Sequence, residues 1–231
     1  MKGVVHSILL YCYKNNMRTN EDIYQTTIKN QEELIKLFKS TPGCERGLKP
    51  LLEPKAAANV LSTFSQYVTC FEYARHIEGS FSIRKWLENE GLKGNIFITN
   101  YSEISDVLRP LLSLFIDICS NKILMLPENL NRRIFLFIDE FGTLQRLNNI
   151  PKLLKLTRSY GGSIWIGVQD IGQIKDIYGT NLTTTIINAC ANCFIFGAED
   201  PETAEYLSKK IGEREKRKVS ESFSYGIESY K

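Results

Sequence analysis

Four short apolar runs constrain this chain most: NIFIT at 95–99, IFLFI at 134–138, SIWIGV at 163–168 and NCFIF at 192–196. Each is apolar almost throughout rather than alternating. Between and beyond them, stretches at roughly 103–120, 150–159, 170–189 and 201–211 carry helical spacing. Strands apolar on both faces that alternate with helices build a parallel sheet flanked by helices, an α/β architecture. The last helix has marked ends, with Asp200 as N-cap, Pro201 in the first turn and Gly212 just past its end.

Residues 1–80 follow a different period and read as an all-α region. Val4, Val5, Ile8, Leu9 and Cys12 fall on one helical face. Thr19, with Asp22 three positions on, forms a capping box that opens a second helix. Leu34, Ile35, Leu37 and Phe38 mark a third, ended by TPG. Beyond Pro50 and Pro54, the residues from Ala57 through Phe64 and Phe71 to Ala74 stripe one face of a long helix. Such a stripe is core material, and no catalytic chemistry is visible in this region.

The chemistry gathers at one strand end. In RRIFLFIDEFGTL, five apolar residues run directly into Asp139 and Glu140, and SIWIGV runs into Gln169. Ligands of parallel α/β sheets bind at the carboxyl ends of the strands, so the three side chains are expected along one edge. A nucleotide hydrolase uses that arrangement: one carboxylate holds Mg²⁺, the next polarises water, and an amide senses the γ-phosphate. Taken alone, the residues also permit a plainer reading, in which the acidic pair closes a strand and caps the next turn.

Composition removes other classes. A net charge of +3, from 29 basic and 26 acidic residues, is too small to argue nucleic-acid binding by itself. No apolar run approaches the ~20 residues of a membrane helix. The N-terminal stretch lacks a small-residue cleavage site and reads as an amphipathic helix, not a signal peptide. The six cysteines sit mostly in apolar patterns, as reduced buried thiols do, and a reducing compartment is expected. Cys190 and Cys193 form a lone C-x-x-C, with His6 and His76 far away in sequence, which argues against zinc. The basic run in EREKRKVSESFSYG, 213–226, reads as a solvated loop leaving the sheet.

Several motifs in order carry a resemblance. FSIRKWLENEG and NIFITNYSEISDVLRPLLSLFIDI lead to RRIFLFIDEFGTLQRLNNIPKLLKLTRSYGGSIWIGVQDIGQIKDIYG and then ANCFIFGAEDPETAEYLSKKIGEREKRK. Together they resemble the coupling-protein ATPases of conjugation and type IV secretion, the TraD/TrwB family. The similarity is dense from Phe81 to Gly226 and weaker over residues 1–80, which resemble the all-α domain that family inserts into its motor. The resemblance implies the C-terminal part of a RecA-like P-loop ATPase, residues 81–231, preceded by a partial all-α domain. It makes Asp139 the Walker B magnesium residue, Glu140 the catalytic carboxylate, Gln169 the γ-phosphate-sensing glutamine and Arg158 a finger reaching a neighbouring subunit's nucleotide. From the residues alone, Arg158 is equally a surface cation near a helix C-terminus.

The same resemblance implies ATP and Mg²⁺ as cofactors and a homo-hexamer. It implies non-specific DNA, a relaxase and secretion-channel proteins as partners, at the cytoplasmic face of the bacterial inner membrane. One departure matters. The family grips phosphates with G-x-x-x-x-G-K-[ST], and this sequence contains no Gly-Lys dipeptide. That loop supplies the backbone amides and lysine for the β- and γ-phosphates. The chain therefore reads as a piece that begins inside the all-α domain, with one sheet strand lost and backbone edges unpaired. Alternatives are a catalytically inactive remnant or interaction module of the same fold, and an unrelated RecA-like helicase, which TAEYLSKKIGE and IYG disfavour.

Overall fold

The computed structural model describes residues 2–77, 79, 81–89 and 94–212. The basic run at 213–226 lies outside the described residues. Among the described residues no helix is long and apolar enough to cross a membrane.

Five helices come first: α1 (Lys2–Lys14), α2 (Asn20–Thr27), α3 (Gln31–Ser40), α4 (Glu45–Leu52) and α5 (Pro54–Ala74). The capping box at α2 forms as the sequence requires. Thr19 Oγ1 accepts from the Asp22 amide at 3.1 Å, and the Asp22 carboxylate accepts from the Thr19 amide at 2.9 Å. Those bonds hold the Asp22 carboxyl below its usual pKa. An equivalent box, Asn30 with Glu33, opens α3. The apolar stripes meet in one core that includes Val4, Ile8, Leu34, Phe38, Leu51 and Phe64.

Helix α4 was not legible, because Pro50 reads as a breaker. A proline at this position leaves the carbonyl of Arg46, four residues back, without its intrahelical donor. Helix α1 crosses there: a Cβ on Gly3 would lie 2.6 Å from Arg46 O. Alongside, Ser7 Oγ donates to Cys44 O at 3.0 Å, and Gly47 gives the room that Ser7 and Phe38 occupy. Small residues make this close crossing possible and tertiary packing overrides the local breaker.

The second region runs α6 (Ile83–Glu88), α7 (Ser105–Met125), β1 (Ile134–Ile138), α8 (Ile150–Leu156), β2 (Gly162–Ile166), α9 (Ile171–Ala189, broken at Gly179) and α10 (Pro201–Ile211). The two strands pair in parallel, Ile134 opposite Gly162 through Ile138 opposite Ile166. Ile138 and Ile166 face a second core that includes Cys119, Ile123, Phe141, Leu147, Leu153 and Ile186. Ion pairs tie α6 to α7 through Glu88 and Lys122, and α9 to α10 through Glu202 and Lys175.

Two of the four expected strands are corrected. Residues 95–99 and 192–196 carry no ladder and are irregular. A strand exists only where a neighbour accepts its backbone groups, and neither run has one among the described residues. Their apolar side chains are left in the open, with Phe97 86% and Phe196 fully exposed. The outer face of the sheet is bare as well. Phe135, Phe137 and Trp165 are exposed there, and Trp165 stacks on Phe137 at 5.8 Å and on Phe194 at 5.9 Å.

Candidate functional site

Strand β1 delivers the acidic pair to the carboxyl edge of the sheet because its alternation places Ile138 in the core and lets the chain turn immediately afterward. The backbone there is clamped from both sides. Gly167 N donates to Ile138 O at 2.8 Å, and Phe141 N donates to Gly167 O at 3.0 Å. The Asp139–Glu140 segment is thus held between two ladder-like bonds to the residue that follows β2. Only glycine fits at that residue, since a Cβ would lie 2.2 Å from Asp139 O and 3.2 Å from Asp139 Oδ1. A glycine in a strand pattern signals such close backbone approach, and Gly167 in IWIGVQ is a site-forming residue that the motif pattern alone does not single out.

Downstream, the turn is anchored by Phe141, which is fully buried and stacks on Tyr178 of α9 at 5.5 Å. The Tyr178 hydroxyl accepts from Leu147 N at 3.0 Å, and Ser113 Oγ on α7 accepts from Gln145 N at 2.9 Å. Burial pushes the Tyr178 phenol above its usual pKa, so it remains a neutral acceptor. Thr143 Oγ1 donates to Glu140 O at 2.8 Å. The loop carrying the carboxylates is therefore fixed to α7, α9 and β2.

Into this frame comes Gln169, three residues beyond β2. Its Nε2 donates to Glu140 Oε1 at 2.9 Å. Asp139, Glu140 and Gln169 are all exposed to solvent, as a site that receives a ligand requires. Arg158 is elsewhere. It is exposed in the short turn Thr157–Tyr160 that precedes β2, closed by Gly161 in the left-handed region at φ 77°. Each strand has five residues, so that edge lies ~16 Å from the carboxylates at about 3.3 Å per residue. The structure brings Glu140 and Gln169 together, keeps Asp139 beside them and places Arg158 at the opposite end.

Metal fit follows from the donor set. Among the described residues no group of three or more His, Cys, Asp or Glu side chains is disposed to hold an ion. Mg²⁺ does not need one, since it binds one or two carboxylates together with water and phosphate oxygens. The exposed Asp139 carboxylate is a donor of the type that such a shell takes.

A protein-family model described as the type IV secretion-system coupling protein DNA-binding domain matches residues 2–231. Coupling protein TraD of Escherichia coli K12 is 30% identical over 180 residues, covering 75% of this chain and 25% of that protein. Conjugal transfer protein TraG of Escherichia coli is 26% identical over 177 residues, covering 68% of this chain and 26% of that one. The conjugative coupling protein TrwB, solved with sulphate, superposes with a TM-score of 0.79 at 27% identity, over 90% of this chain and 50% of that one. TrwB in complex with ADP and Mg²⁺ superposes with a TM-score of 0.76 at 27% identity over the same shares. The chain thus spans about half the length of the solved coupling-protein chains and about a quarter of the curated relatives. It belongs to the family of type IV secretion-system coupling protein DNA-binding domains.

Proposed function

We propose that this chain carries the metal-and-water side of an ATP-driven motor that moves DNA or protein substrate to a secretion channel. The observation that carries the reading is the 2.9 Å bond from Gln169 to Glu140 at the carboxyl edge of the parallel pair, with Asp139 adjoining. The binding of ADP and Mg²⁺ by TrwB supports it. Two separate apolar cores support a division into an all-α domain, residues 1–80, and a RecA-like domain, residues 81–231.

In this reading Asp139 holds Mg²⁺ beside the nucleotide. The ion, when bound, neutralises charge developing on the phosphate oxygens. Glu140 accepts a proton from water as the water oxygen attacks the γ-phosphorus and ADP departs with the bonding electron pair. Gln169 orients Glu140 by holding Oε1, which leaves Oε2 for the water, and in this reading senses the γ-phosphate. This sequence has no Gly-Lys dipeptide to grip the phosphates. Arg158, at the far edge, serves a neighbouring subunit's nucleotide in a homo-hexamer at the cytoplasmic face of the inner membrane. Non-specific DNA, a relaxase and channel proteins complete the set of partners.

The test uses a coupling protein that contains this chain together with a phosphate loop. Glu140→Gln should retain Mg-ATP binding and lose turnover by about 10²–10⁴-fold, the range for removing a general base. Asp139→Ala should weaken Mg²⁺-dependent nucleotide binding as well. Near wild-type turnover by Glu140→Gln would remove that residue from the role.

A further inference from the structure

The loop leaving Glu140 also forms one wall of an open cavity of about 480 Å³ between α5, α7 and α9, lined in part by Tyr67, Arg109, Gly142, Gln145, Arg146 and Ile177. Two guanidinium side chains share this wall, and no carboxylate belongs to the lining. Arg109 pairs through Nη2 with Asp106, one turn earlier on α7, but its Nε is buried with no acceptor. Arg146 forms no ion pair among the described residues. A buried guanidinium N–H without an acceptor has lost its water and gained nothing in exchange. The Arg109 side chain as a whole is 41% exposed and lines the cavity, so an anion that enters can meet its remaining N–H groups.

The donor set specifies that acceptor. Guanidinium groups present a planar fork suited to two oxygens of one anion, and phosphate oxygens form the shorter, charge-assisted bonds. Tyr67 and Gln145 bring further groups capable of donating to the same cavity. The cavity is open and larger than one phosphate needs, so a phosphate with its flanking sugars fits. We propose that this cleft binds a phosphate group through Arg109 and Arg146, supplied by a nucleic-acid backbone or by a free phosphate compound. Only the nucleic-acid source rests on the motor reading above. Because Gln145 and Leu147 are bonded to α7 and α9, an occupant of the cleft bears directly on the loop that holds Asp139 and Glu140.

The Nε–H resonances of arginine in the isotopically labelled 231-residue chain test this. The probes are an eight-nucleotide oligothymidylate and, separately, inorganic pyrophosphate, each titrated at constant ionic strength. Arg109 and Arg146 should shift and saturate, while Arg18, stacked on Tyr13 in the all-α region, reports only bulk electrostatics. Replacing both by lysine should weaken the saturating interaction about tenfold, since the ammonium cannot reproduce the fork. Replacing both by glutamine, which removes the charges, should lower the salt slope of oligothymidylate binding, measured across several ionic strengths, by ~0.7 for each phosphate that is no longer neutralised. A response to oligothymidylate alone assigns the cleft to a nucleic-acid backbone, and a response to pyrophosphate alone assigns it to a free phosphate compound. Shifts at Arg109 and Arg146 no larger than at Arg18 with both probes overturn the cleft. That result leaves Glu140 untouched, because its role is read by ATP turnover.

Discussion

The all-α region and the α/β region are built from helices of similar kind, but they close their cores differently. In the first, the stripes of α1, α3, α4 and α5 meet one another, and Phe38 and Leu51 are almost wholly removed from water. In the second, the inner face of the sheet packs on α7, α8 and α9, while the outer face presents Phe135, Phe137 and Trp165 to solvent. Strands that are apolar on both faces belong to sheets covered on both faces. Among the described residues of the α/β region, nothing more than Phe194 is stacked on that outer face. The chemistry is divided too: the carboxylates and Arg158 lie at opposite ends of the strands, and the sequence has no Gly-Lys dipeptide.

Experiment can sharpen the contrast between the regions. The largest effect should come from Arg158. An arginine finger supplied in trans is worth on the order of 10³ or more in rate, so Arg158→Ala in a complete coupling protein should cripple hydrolysis while nucleotide affinity holds. Mixing Arg158→Ala with Glu140→Gln subunits should restore part of the activity at mixed interfaces. Absence of rescue, with full activity in a monomer, would return Arg158 to a surface cation and make the α/β region self-sufficient.

Next in size is the contrast between two phenylalanines, read by urea unfolding of the chain. Phe38→Ala, in the closed core, should cost about 3–5 kcal/mol. Phe137→Ala, with its side of the sheet uncovered, should cost only about 1 kcal/mol, the worth of its stacking on Trp165. Equal losses would mean that the outer face is already packed, against another copy of the chain, and would erase the difference between the regions.

A smaller effect probes the covered side. Burial pushes the Cys119 thiol up to about 11 from its ordinary 9.0. The raised value favours the neutral thiol in the fold. Its contribution is fully present below pH 9 and is lost as pH rises toward 11. Stability should therefore fall across that window, and less steeply in Cys119→Val. Identical slopes would show that α7 is wetter at Cys119 than its packing indicates.

What the sequence disclosed was what depends on local chemistry. The Thr19–Asp22 box, the Asp200–Pro201 start of α10 and the IFLFI strand each follow from a few adjacent residues, and each formed where expected. The runs at 95–99 and 192–196 had the same local signature and did not pair, since a strand's existence depends on a neighbour that no local pattern announces. Helix α4 failed in the opposite direction, with Pro50 tolerated because α1 packs where the helix is weakened. The placement of Asp139, Glu140 and Gln169 along one edge was legible. Their fixation was not, because it depends on Gly167 yielding space to Asp139 and on Tyr178 meeting Phe141 and Leu147 across the fold.

The most direct test is calorimetry and steady-state turnover on the purified 231-residue chain with Mg-ATP. The chain holds the carboxylates and the glutamine but encodes no loop to grip the β- and γ-phosphates. The expected result is neither micromolar nucleotide binding nor turnover. Micromolar binding, or steady hydrolysis abolished by Glu140→Gln, would contradict it, by showing that these residues form a complete site without the missing grip.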